Sequence, residues 1–506
     1  MRKLLLSLAA AALLASACSS SALPGSTQRA PVDPGHHLPP PTPAPRATSG
    51  PPDGVTHEDP GTNPWTDPNR DEASTFALDV DTASYTIAQR YVEDGRAPDP
   101  ASIRVEEWIN AFGQGYAPPD EATFAIHTDG GPTPFTDEDE VLLRVGLQAR
   151  EVAGRERQHA SLTFVIDTSG SMSRDYRLET VKEALRILVG SLDRDDRVAI
   201  VTFGDVARVV LESTPARDES LLIDAIDRLQ PGGSTNLEAG LRLGYELARS
   251  SMTENGIDRI VLASDGVANV GLTDAEAILE SIRRDAAAGI ELVAVGVGMG
   301  NFNDALLEQL ADDGDGFYAY VNTLDEAERL FREDLTATLE TVALDARAQV
   351  TFNRDAVAAY RLVGYENRAI SDRDFTNDQV DAGAIGAGHS VTALYVLRLR
   401  PEAGRQAHVA RVDLRWTDPD RGGAVELGRD VRTSDLARSF AATDPYLRFD
   451  AIVAATAEVL RGSELAGGID LRDVVEVADR QAASLPATDE VHDFLALLGE
   501  LRHLVR

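Results

Sequence analysis

The chain is poor in cysteine and in basic residues. Cys18 is the one cysteine among 506 residues, so an intrachain disulfide and a thiolate metal cluster are both excluded. Lysine and arginine together number 48, against 83 aspartates and glutamates, which gives a formal net charge of −35. Such a surface repels phosphate backbones, so we expect no nucleic-acid partner. The same acidity also suits solubility or a salty habitat, and charge alone assigns no function.

Long apolar runs are also lacking beyond the first residues. No stretch after residue 18 reaches ~18 uninterrupted apolar residues, so we expect no later segment to cross a bilayer. At the N-terminus, Arg2 and Lys3 precede the apolar run Leu4–Leu14, and Ala15–Ala17 lead directly into Cys18. This order is typical of a secretory signal that is too short for a comfortable membrane span.

The position of Cys18 resembles a bacterial lipobox, in which the cysteine is diacylated on sulfur and becomes the mature N-terminus. The alternative is an ordinary signal peptide with a chance cysteine. The lipobox interpretation predicts a membrane-anchored lipoprotein of the bacterial cell envelope that faces the periplasm or the exterior. Proline, serine, glycine and threonine then dominate residues 19–68, which predicts a disordered tether between the anchor and the folded part.

From Ser161 onward, short apolar strands alternate with amphipathic helices. The runs LTFVI, VAIVTF, IVLAS and ELVAVGV are rich in valine and isoleucine and are bounded by polar loops. Between them, helical periodicity predicts helices at Leu178–Val189, Leu221–Leu229, Leu237–Ala248 and Ala275–Ile282. Continuous apolar strands joined by helices are typical of a mostly parallel sheet covered on both faces. We therefore predict a doubly wound, Rossmann-like α/β domain.

The sequence on either side of this region has a different pattern. Thr123–His127 and Val141–Ala149 alternate as the strands of a hairpin or sandwich edge, and strand-like alternation returns from Ala343 to Trp416. Helical periodicity also predicts six further helices, at Tyr85–Val92, Val105–Phe112, Leu324–Glu340, Arg448–Leu460, Leu471–Ala482 and Glu490–Leu504. The central domain is thus expected to have β-rich flanks and a helical C-terminal region.

Oxygen-bearing side chains follow the first strand of the α/β region at every second position. Asp167, Ser169 and Ser171 come directly after the apolar run FVI, and side chains two apart in an extended turn point the same way. Gly170 has no Cβ, so the backbone can bend tightly there. One carboxylate and two hydroxyls suit a small hard cation, so we predict Mg²⁺ or Mn²⁺ with waters in the remaining positions. Open α/β sheets bind ligands at this edge.

The segment Asp167–Ser171, DTSGS, resembles the DxSxS core of the metal-ion-dependent adhesion site of von Willebrand factor type A domains. The family's threonine matches Thr235 in GGSTN, and its second aspartate matches Asp265 in SDG. The resemblance implies that Ser169, Ser171 and Thr235 contact the cation directly or through water, while the aspartates act mostly through bound waters. It also implies that the sixth position is left open for an acidic residue of a partner protein.

Four longer stretches resemble bacterial envelope lipoproteins of the YfbK type: DVDTASY, RVEEWIN, GVGMGNFNDALLEQLAD and DPYLRFDAIVAATAEVLRGSEL. The resemblance implies a β-rich region wrapped around the central domain. The chain is accordingly predicted to contain six segments. They are a lipoprotein signal peptide (1–18), a tether (19–68), an N-terminal α+β region (69–158), a von Willebrand factor type A domain (159–341), a β-rich region (342–434) and a C-terminal helical region (435–506).

Three motifs that could signal an enzyme do not have the required spacing. In Asp167–Gly170, glycine comes one place later than in an aspartic protease, and no second copy supplies the paired carboxylate. Asp79 and Asp81 suggest a phosphatase loop, but no lysine-bearing loop accompanies them, and we expect them to cap a turn or helix. The glycines of Gly296–Gly300 lack the Gly-Lys-Ser/Thr of a phosphate-binding loop. We therefore expect no enzymatic activity.

The leading hypothesis is an envelope-anchored adhesion or scaffold lipoprotein that binds a partner protein through a divalent cation. The partner is expected to be an envelope or extracellular protein that offers an acidic residue to the metal. The alternative is a structural envelope lipoprotein whose metal only stabilises the fold. Binding that disappears with a chelator while the fold persists would separate the two hypotheses.

Replacing Cys18 with serine should release the protein from membranes into the soluble fraction. The reason is that two acyl chains, at ~0.8 kcal/mol per buried CH₂, suffice for stable anchoring, and serine carries neither. Fractionation of cells that express either form measures the effect. Firm membrane association of the Cys18→Ser protein would contradict the lipobox interpretation.

Overall fold

The computed structural model describes residues 61–505 with several gaps. The residues left out within that range are 79, 136–139, 153–157, 253–255, 266–274, 298–303, 322–326, 328–329, 331–340, 367–368, 378–381, 420, 464–465 and 467. The predicted lipobox with Cys18 and all but two residues of the predicted helix Leu324–Glu340 lie outside the described residues. They stay predictions.

The described residues contain sixteen strands and ten helices, numbered here in chain order. The strands are β1 (Ala73–Ala77), β2 (Phe124–Gly131), β3 (Glu140–Ala149), β4 (Ala160–Asp167), β5 (Arg197–Phe203), β6 (Arg208–Pro215), β7 (Ile257–Ser264), β8 (Ile290–Val297), β9 (Tyr318–Val321), β10 (Thr341–Phe352), β11 (Val357–Val363), β12 (Ala369–Ile370), β13 (Ala384–Gly386), β14 (Ser390–Leu399), β15 (His408–Thr417) and β16 (Ala424–Arg432). The helices are α1 (Ala83–Glu93), α2 (Val105–Asn110), α3 (Arg177–Ser191), α4 (Glu219–Asp227), α5 (Leu237–Ser251), α6 (Ala275–Ala286), α7 (Asp304–Asp312), α8 (Pro445–Leu460), α9 (Leu471–Gln481) and α10 (Asp489–Leu504).

The central sheet has the strand order β6-β5-β4-β7-β8-β9. Every residue of β4 is buried, as the continuous apolar run predicts for a strand covered on both faces. Its two neighbours, β5 and β7, and the strands β8 and β9 all run parallel. The predicted doubly wound, mostly parallel α/β fold is confirmed.

One strand of this sheet runs against the others. The edge strand β6 pairs antiparallel with β5, and the sequence analysis did not predict it. Most of the first half of β6 is exposed, including Val209 and Val210. The apolar alternation that marks a half-buried strand is therefore weak in RVVLESTP.

Helices cover both faces of the central sheet. On one face, α3 buries Leu178, Val181, Leu185 and Leu188 in a core that also contains residues of α4. This spacing of three or four residues places the four side chains on one stripe of the helix. On the other face, residues of α5, α6 and α7 form a second core with the sheet. The sheet is thus the middle layer of a three-layer domain.

The sequence before the central domain and the sequence after it form one β-sandwich. One sheet has the order β12-β1-β10-β15-β16, with β13 beside β10, and the other has the order β11-β14-β3-β2. Phe76 of β1 lies opposite Ala348 of β10, and Val145 of β3 lies opposite Ala393 of β14. The predicted hairpin corresponds to the antiparallel pair β2 and β3. The sequence pattern predicted two separate flanking regions, 69–158 and 342–434, whereas in the structure their strands pair in the same two sheets.

Helix α1 packs on two cores with two different faces. Ala83, Ile87 and Tyr91 belong to the core on one face of the central sheet. A second set belongs to the helical core formed with α2, α8, α9 and α10, namely Tyr85, Ala88 and Val92. Both sets recur at helical spacing. Among the described residues, no helix is long and apolar enough to span a membrane.

The predicted tether extends too far. Residues 61–68, its last eight, contact the folded part. Thr66 and Tyr360 exchange backbone hydrogen bonds of 2.8 and 3.0 Å, and the guanidinium of Arg398 lies 4.1 Å from the centre of the Trp65 ring. An isolated tryptophan in a Pro-rich stretch gives no periodic signal, so composition could not mark this boundary.

Arg144 of β3 joins the sandwich to the helical region. Its buried guanidinium forms two hydrogen bonds with Asp129, of 2.8 and 3.1 Å, and one of 3.1 Å with Asp444. It also lies 3.2 Å from the carboxylate of Asp450 in α8. Burial raises the pKa of Asp450 to about 6, and the positive charge of Arg144 counteracts that shift. The pair is therefore satisfied only while both partners are present.

Replacing Arg144 with methionine should lower the free energy of unfolding by about 3–5 kcal/mol, because Asp450 is left as an uncompensated buried charge. Arg186→Met is the matched control, since Arg186 is partly exposed and pairs with Glu183 and Asp227. It should cost less than about 1 kcal/mol. Urea unfolding followed by circular dichroism measures both values. A decrease in the free energy of unfolding of Arg144→Met as small as that of Arg186→Met would show that the buried network is not needed for stability.

Candidate metal centre

The candidate centre lies where the strand order of the central sheet reverses. From β4 the chain proceeds through α3 to β5 on one side, and β7 and β8 extend the sheet on the other side. Asp167 is the last residue of β4, and Asp265 directly follows β7. Both side chains are fully buried. The position is the crevice at which open α/β sheets bind ligands.

Two hydrogen bonds hold the carboxylate of Asp167. The backbone N–H of Ser169 donates to Oδ1 at 2.7 Å, and the hydroxyl of Ser264, at the end of β7, donates to Oδ2 at 2.9 Å. Burial raises the pKa of Asp167 to about 6, and the negative charge of Asp265 adds to the rise. The two hydrogen bonds act in the opposite direction, because they favour the charged carboxylate.

The two serines that follow Asp167 come together as the spacing predicts. A short 3₁₀ segment, Gly170–Tyr176, turns the chain after β4. Ser169 Oγ lies 2.9 Å from Ser171 Oγ. Ser169 is buried and Ser171 is half-buried, so the hydroxyl pair lies between the core and the surface. Such a pair can offer two neutral oxygens to one cation.

Thr235 lies in a loop that is bonded to the turn after β4. Gly232 N–H donates to Thr168 O at 2.7 Å, and Gly170 N–H donates to Gly233 O at 3.0 Å. Thr235 itself is buried, with 2% of its surface exposed. These backbone bonds set the distance between the threonine loop and the residues after β4.

Asp205 shapes the threonine loop and was missed by the sequence analysis. Its Oδ1 accepts hydrogen bonds of 2.7 Å from both the backbone N–H and the hydroxyl of Ser234. These bonds hold the pKa of Asp205 below its usual value. Gly233 adopts a φ of +90°, and a Cβ there would lie 2.8 Å from Asp205 Oδ2. The sequence signal is the glycine pair before Ser234, which marks a close backbone approach.

Asp265 forms an ion pair that the sequence did not reveal. Nη1 of Arg177, the first residue of α3, donates to Asp265 Oδ2 at 2.7 Å. Arg177 and Asp265 are both buried. The other oxygen, Asp265 Oδ1, is buried and has no hydrogen-bond partner among the described residues. Nothing in its spacing distinguishes Arg177 from Arg174 or Arg186, so no sequence pattern would have singled it out.

The residues present fit a small divalent cation. Within the part of the chain that the structure describes, the buried Oδ1 of Asp265 is an acceptor without a donor, and buried polar atoms are rarely left in that state. The other donors are the carboxylate of Asp167 and the hydroxyls of Ser169, Ser171 and Thr235, an all-oxygen set that suits Mg²⁺ or Mn²⁺. Within the described residues, no three His, Cys, Asp or Glu side chains cluster as metal ligands. A metal at this centre therefore depends on hydroxyls and water.

The other motifs from the sequence lie apart from this centre. Asp81 is buried, and it accepts a hydrogen bond of 3.1 Å from the backbone N–H of Tyr318 in β9. Helix α1 starts after Thr82, which makes no side-chain capping bond. Asp81 thus connects the start of α1 to the sheet. Asp79, and residues 298–300 of the glycine motif, lie outside the described residues.

Three family models match successive parts of the chain. The model described as von Willebrand factor type A domain matches residues 161–333. The model described as von Willebrand factor matches residues 52–144. The model described as Uncharacterized protein YfbK, C-terminal, matches residues 337–504. The first match covers every residue of the candidate centre.

A relative that spans most of the chain decides the family. The Escherichia coli (strain K12) protein described as Uncharacterized protein YfbK is 34% identical over 451 residues, which cover 84% of this chain and 77% of that protein. The chain belongs to the YfbK family. The resemblance of its flanking stretches to the YfbK type is thereby confirmed.

More distant similarities of this YfbK family member concern smaller parts or lower identity. Inter-alpha-trypsin inhibitor heavy chain H3 from Homo sapiens is 30% identical over 165 residues, which cover 31% of this chain and 18% of that protein. The solved von Willebrand factor type A structure from Catenulispora acidiphila is 18% identical and covers 74% of this chain and 89% of that one, with a TM-score of 0.45. Proteins with von Willebrand factor type A domains often take part in protein–protein interaction or adhesion, and they commonly bind a divalent metal.

Replacing Ser264 with alanine should raise the pKa of Asp167 above 6 by roughly one unit, because a hydrogen bond to the charged carboxylate is lost. The measurement is a pH titration of the Asp167 carboxyl carbon by NMR, with chelator present. Thr163→Val is the control. Thr163 lies on β4, its hydroxyl has no hydrogen-bond partner in the described part of the chain, and its loss should leave the pKa of Asp167 unchanged. An unshifted pKa in Ser264→Ala would contradict the proposed electrostatics.

Proposed function

We propose that this YfbK family member binds Mg²⁺ or Mn²⁺ at the candidate centre and uses the ion to hold an acidic residue of a partner protein. The observation that carries the proposal is the buried Oδ1 of Asp265, which has no hydrogen-bond partner among the described residues, beside the buried carboxylate of Asp167. A dication offsets two such charges, because buried carboxylates need a partner of opposite sign. When bound, the ion supplies an electrophilic centre for an oxygen ligand.

The chain's own residues hold the ion and leave room for a partner. Two carboxylates and three hydroxyls supply at most five side-chain ligands, one fewer than the six oxygens that Mg²⁺ prefers, so the remaining position is left to water or to an incoming ligand. Ser171 is half-buried, so one side of the centre opens towards the surface. A carboxylate from another protein can complete the coordination there. This arrangement suits reversible binding.

Binding fits the centre better than catalysis does. An enzyme needs a nucleophile with an adjacent base, or a pair of carboxylates that share a proton. Among the described residues, the charged partner of this centre is Arg177, whose guanidinium offers hydrogen-bond donors and no acceptor. Our proposal is therefore a binding protein without enzymatic activity.

The location we propose is the bacterial cell envelope, with Cys18 as a lipid anchor. The order of charged, apolar and small residues before Cys18 supports this proposal. The relative from Escherichia coli is bacterial as well. An anchor followed by some forty residues rich in proline, serine, glycine and threonine would let the centre meet partners on the same membrane or on a neighbouring surface.

Replacing Asp167 with alanine should abolish Mg²⁺ and Mn²⁺ binding and leave the fold largely intact, because the apolar strands of the sheet supply most of its stability. Calorimetric titration of both proteins with each ion measures the effect, and Mn²⁺ should replace Mg²⁺ better than Ca²⁺ does. Asp227→Ala is the control, since Asp227 is exposed and pairs with Arg186. It should bind both ions as the wild type does.

Two outcomes would count against this function. Equal ion binding by wild type and Asp167→Ala would place the metal elsewhere. The second test is a pull-down of membrane proteins by the wild type, in Mg²⁺ and in chelator. Equal amounts of partner in the two buffers would favour a metal that only stabilises the fold. The circular dichroism spectrum, recorded in both buffers, shows whether the fold itself depends on the ion.

A further inference from the structure

Arg177 places a positive charge inside the candidate centre. Its guanidinium donates to Asp265 Oδ2 at 2.7 Å, and both side chains are buried. The bond occupies one carboxylate oxygen, while Oδ1 has no hydrogen-bond partner in the described part of the chain. Arg177 thus shares Asp265 with any ion that binds there.

This charge changes the electrostatic balance of the centre. Asp167 and Asp265 alone would be neutralised by a bound dication. With Arg177 included, the two aspartates and the arginine carry one net negative charge. The ion-loaded centre then carries one net positive charge, and a buried charge of this kind is stabilised by an anionic ligand.

The position of Arg177 is unfavourable for its own helix. Arg177 is the first residue of α3, and a positive charge at a helix N-terminus opposes the helix dipole. The residue before it, Tyr176, adopts a left-handed φ of +59°, a conformation that a bulky side chain rarely takes. Two features at the start of α3 are thus unfavourable: the positive charge of Arg177 and the left-handed conformation of Tyr176. The ion pair with Asp265 is the contact that offsets them.

We propose that Arg177 makes the centre selective for a carboxylate-bearing partner by weakening the binding of the free ion and strengthening the binding of the ion together with an acidic ligand. The inference rests on the proposed metal-dependent function and adds a residue that determines its specificity. Because binding linkage is reciprocal, an acidic ligand raises the affinity for the ion by the same factor as the ion raises the affinity for the ligand. Arg177 increases that factor.

The test measures Mn²⁺ affinity by calorimetry on the full mature chain, with and without a capped Gly-Asp-Gly peptide. Removing the charge in Arg177→Met should raise the affinity for Mn²⁺ alone by about tenfold and remove most of the enhancement that the peptide gives. Arg177→Lys keeps the charge and should retain the enhancement. Arg186→Met removes a charge from the outer part of the same helix and should behave as the wild type. A capped Gly-Asn-Gly peptide controls for the carboxylate.

The outcomes distinguish this inference from the proposed function. A wild type that binds no Mn²⁺, with or without the peptide, overturns the proposed function and the inference with it. A wild type that binds Mn²⁺ while Arg177→Met shows the same affinity and the same enhancement overturns the inference alone. If Arg177→Met does not fold, Arg177→Lys decides. A folded Arg177→Lys that loses the enhancement shows that charge is not the cause.

Discussion

The pairing of β4 with two parallel neighbours is the constraint on which the candidate centre depends. Ile166 lies opposite Ala263 of β7, and Asp167 lies opposite Phe203 of β5. A slip of one residue would turn Asp167 from the edge towards another face of the sheet. This register places Ser264 where its hydroxyl reaches Asp167, and it places Asp265 one residue beyond. The turn that follows Asp167 also forms the backbone hydrogen bonds that hold the loop of Thr235.

In two places in this protein, a buried arginine holds a buried aspartate of opposite charge. Arg144 serves Asp129, Asp444 and Asp450 where the sandwich contacts the helical region. Arg177 serves Asp265 in the central domain. The two networks differ in one respect. Asp450 accepts hydrogen bonds on both oxygens, from Gln114 and from Arg144, whereas Asp265 retains one oxygen without a partner among the described residues. The first network is complete within the chain, and the second is open to a ligand.

Most strands and helices of the central domain could be predicted from the sequence, because their hydrophobic periodicity is visible within short segments. The alternation of apolar runs and amphipathic helices predicted the parallel sheet, and the spacing of Asp167, Ser169 and Ser171 predicted their convergence. Arg177 could not be predicted, since its partner Asp265 is far along the chain and nothing local marks the pair. The joined sandwich was missed for the same reason. The exposed strand β6 lacks the apolar pattern that reveals a strand.

The shared sandwich has a consequence for the order in which the chain can fold. Ala73 of β1 pairs with Thr351 of β10, so the first strand leaves the ribosome long before its partner is synthesised. The central domain lies between them and makes its own strand pairs over shorter separations, and such contacts form faster. Until β10 and β14 appear, β1 and β3 lack the neighbouring strands that pair with their backbone edges. The nascent N-terminal segment therefore exposes unpaired strand edges, which favour pairing with other copies until the later strands are made.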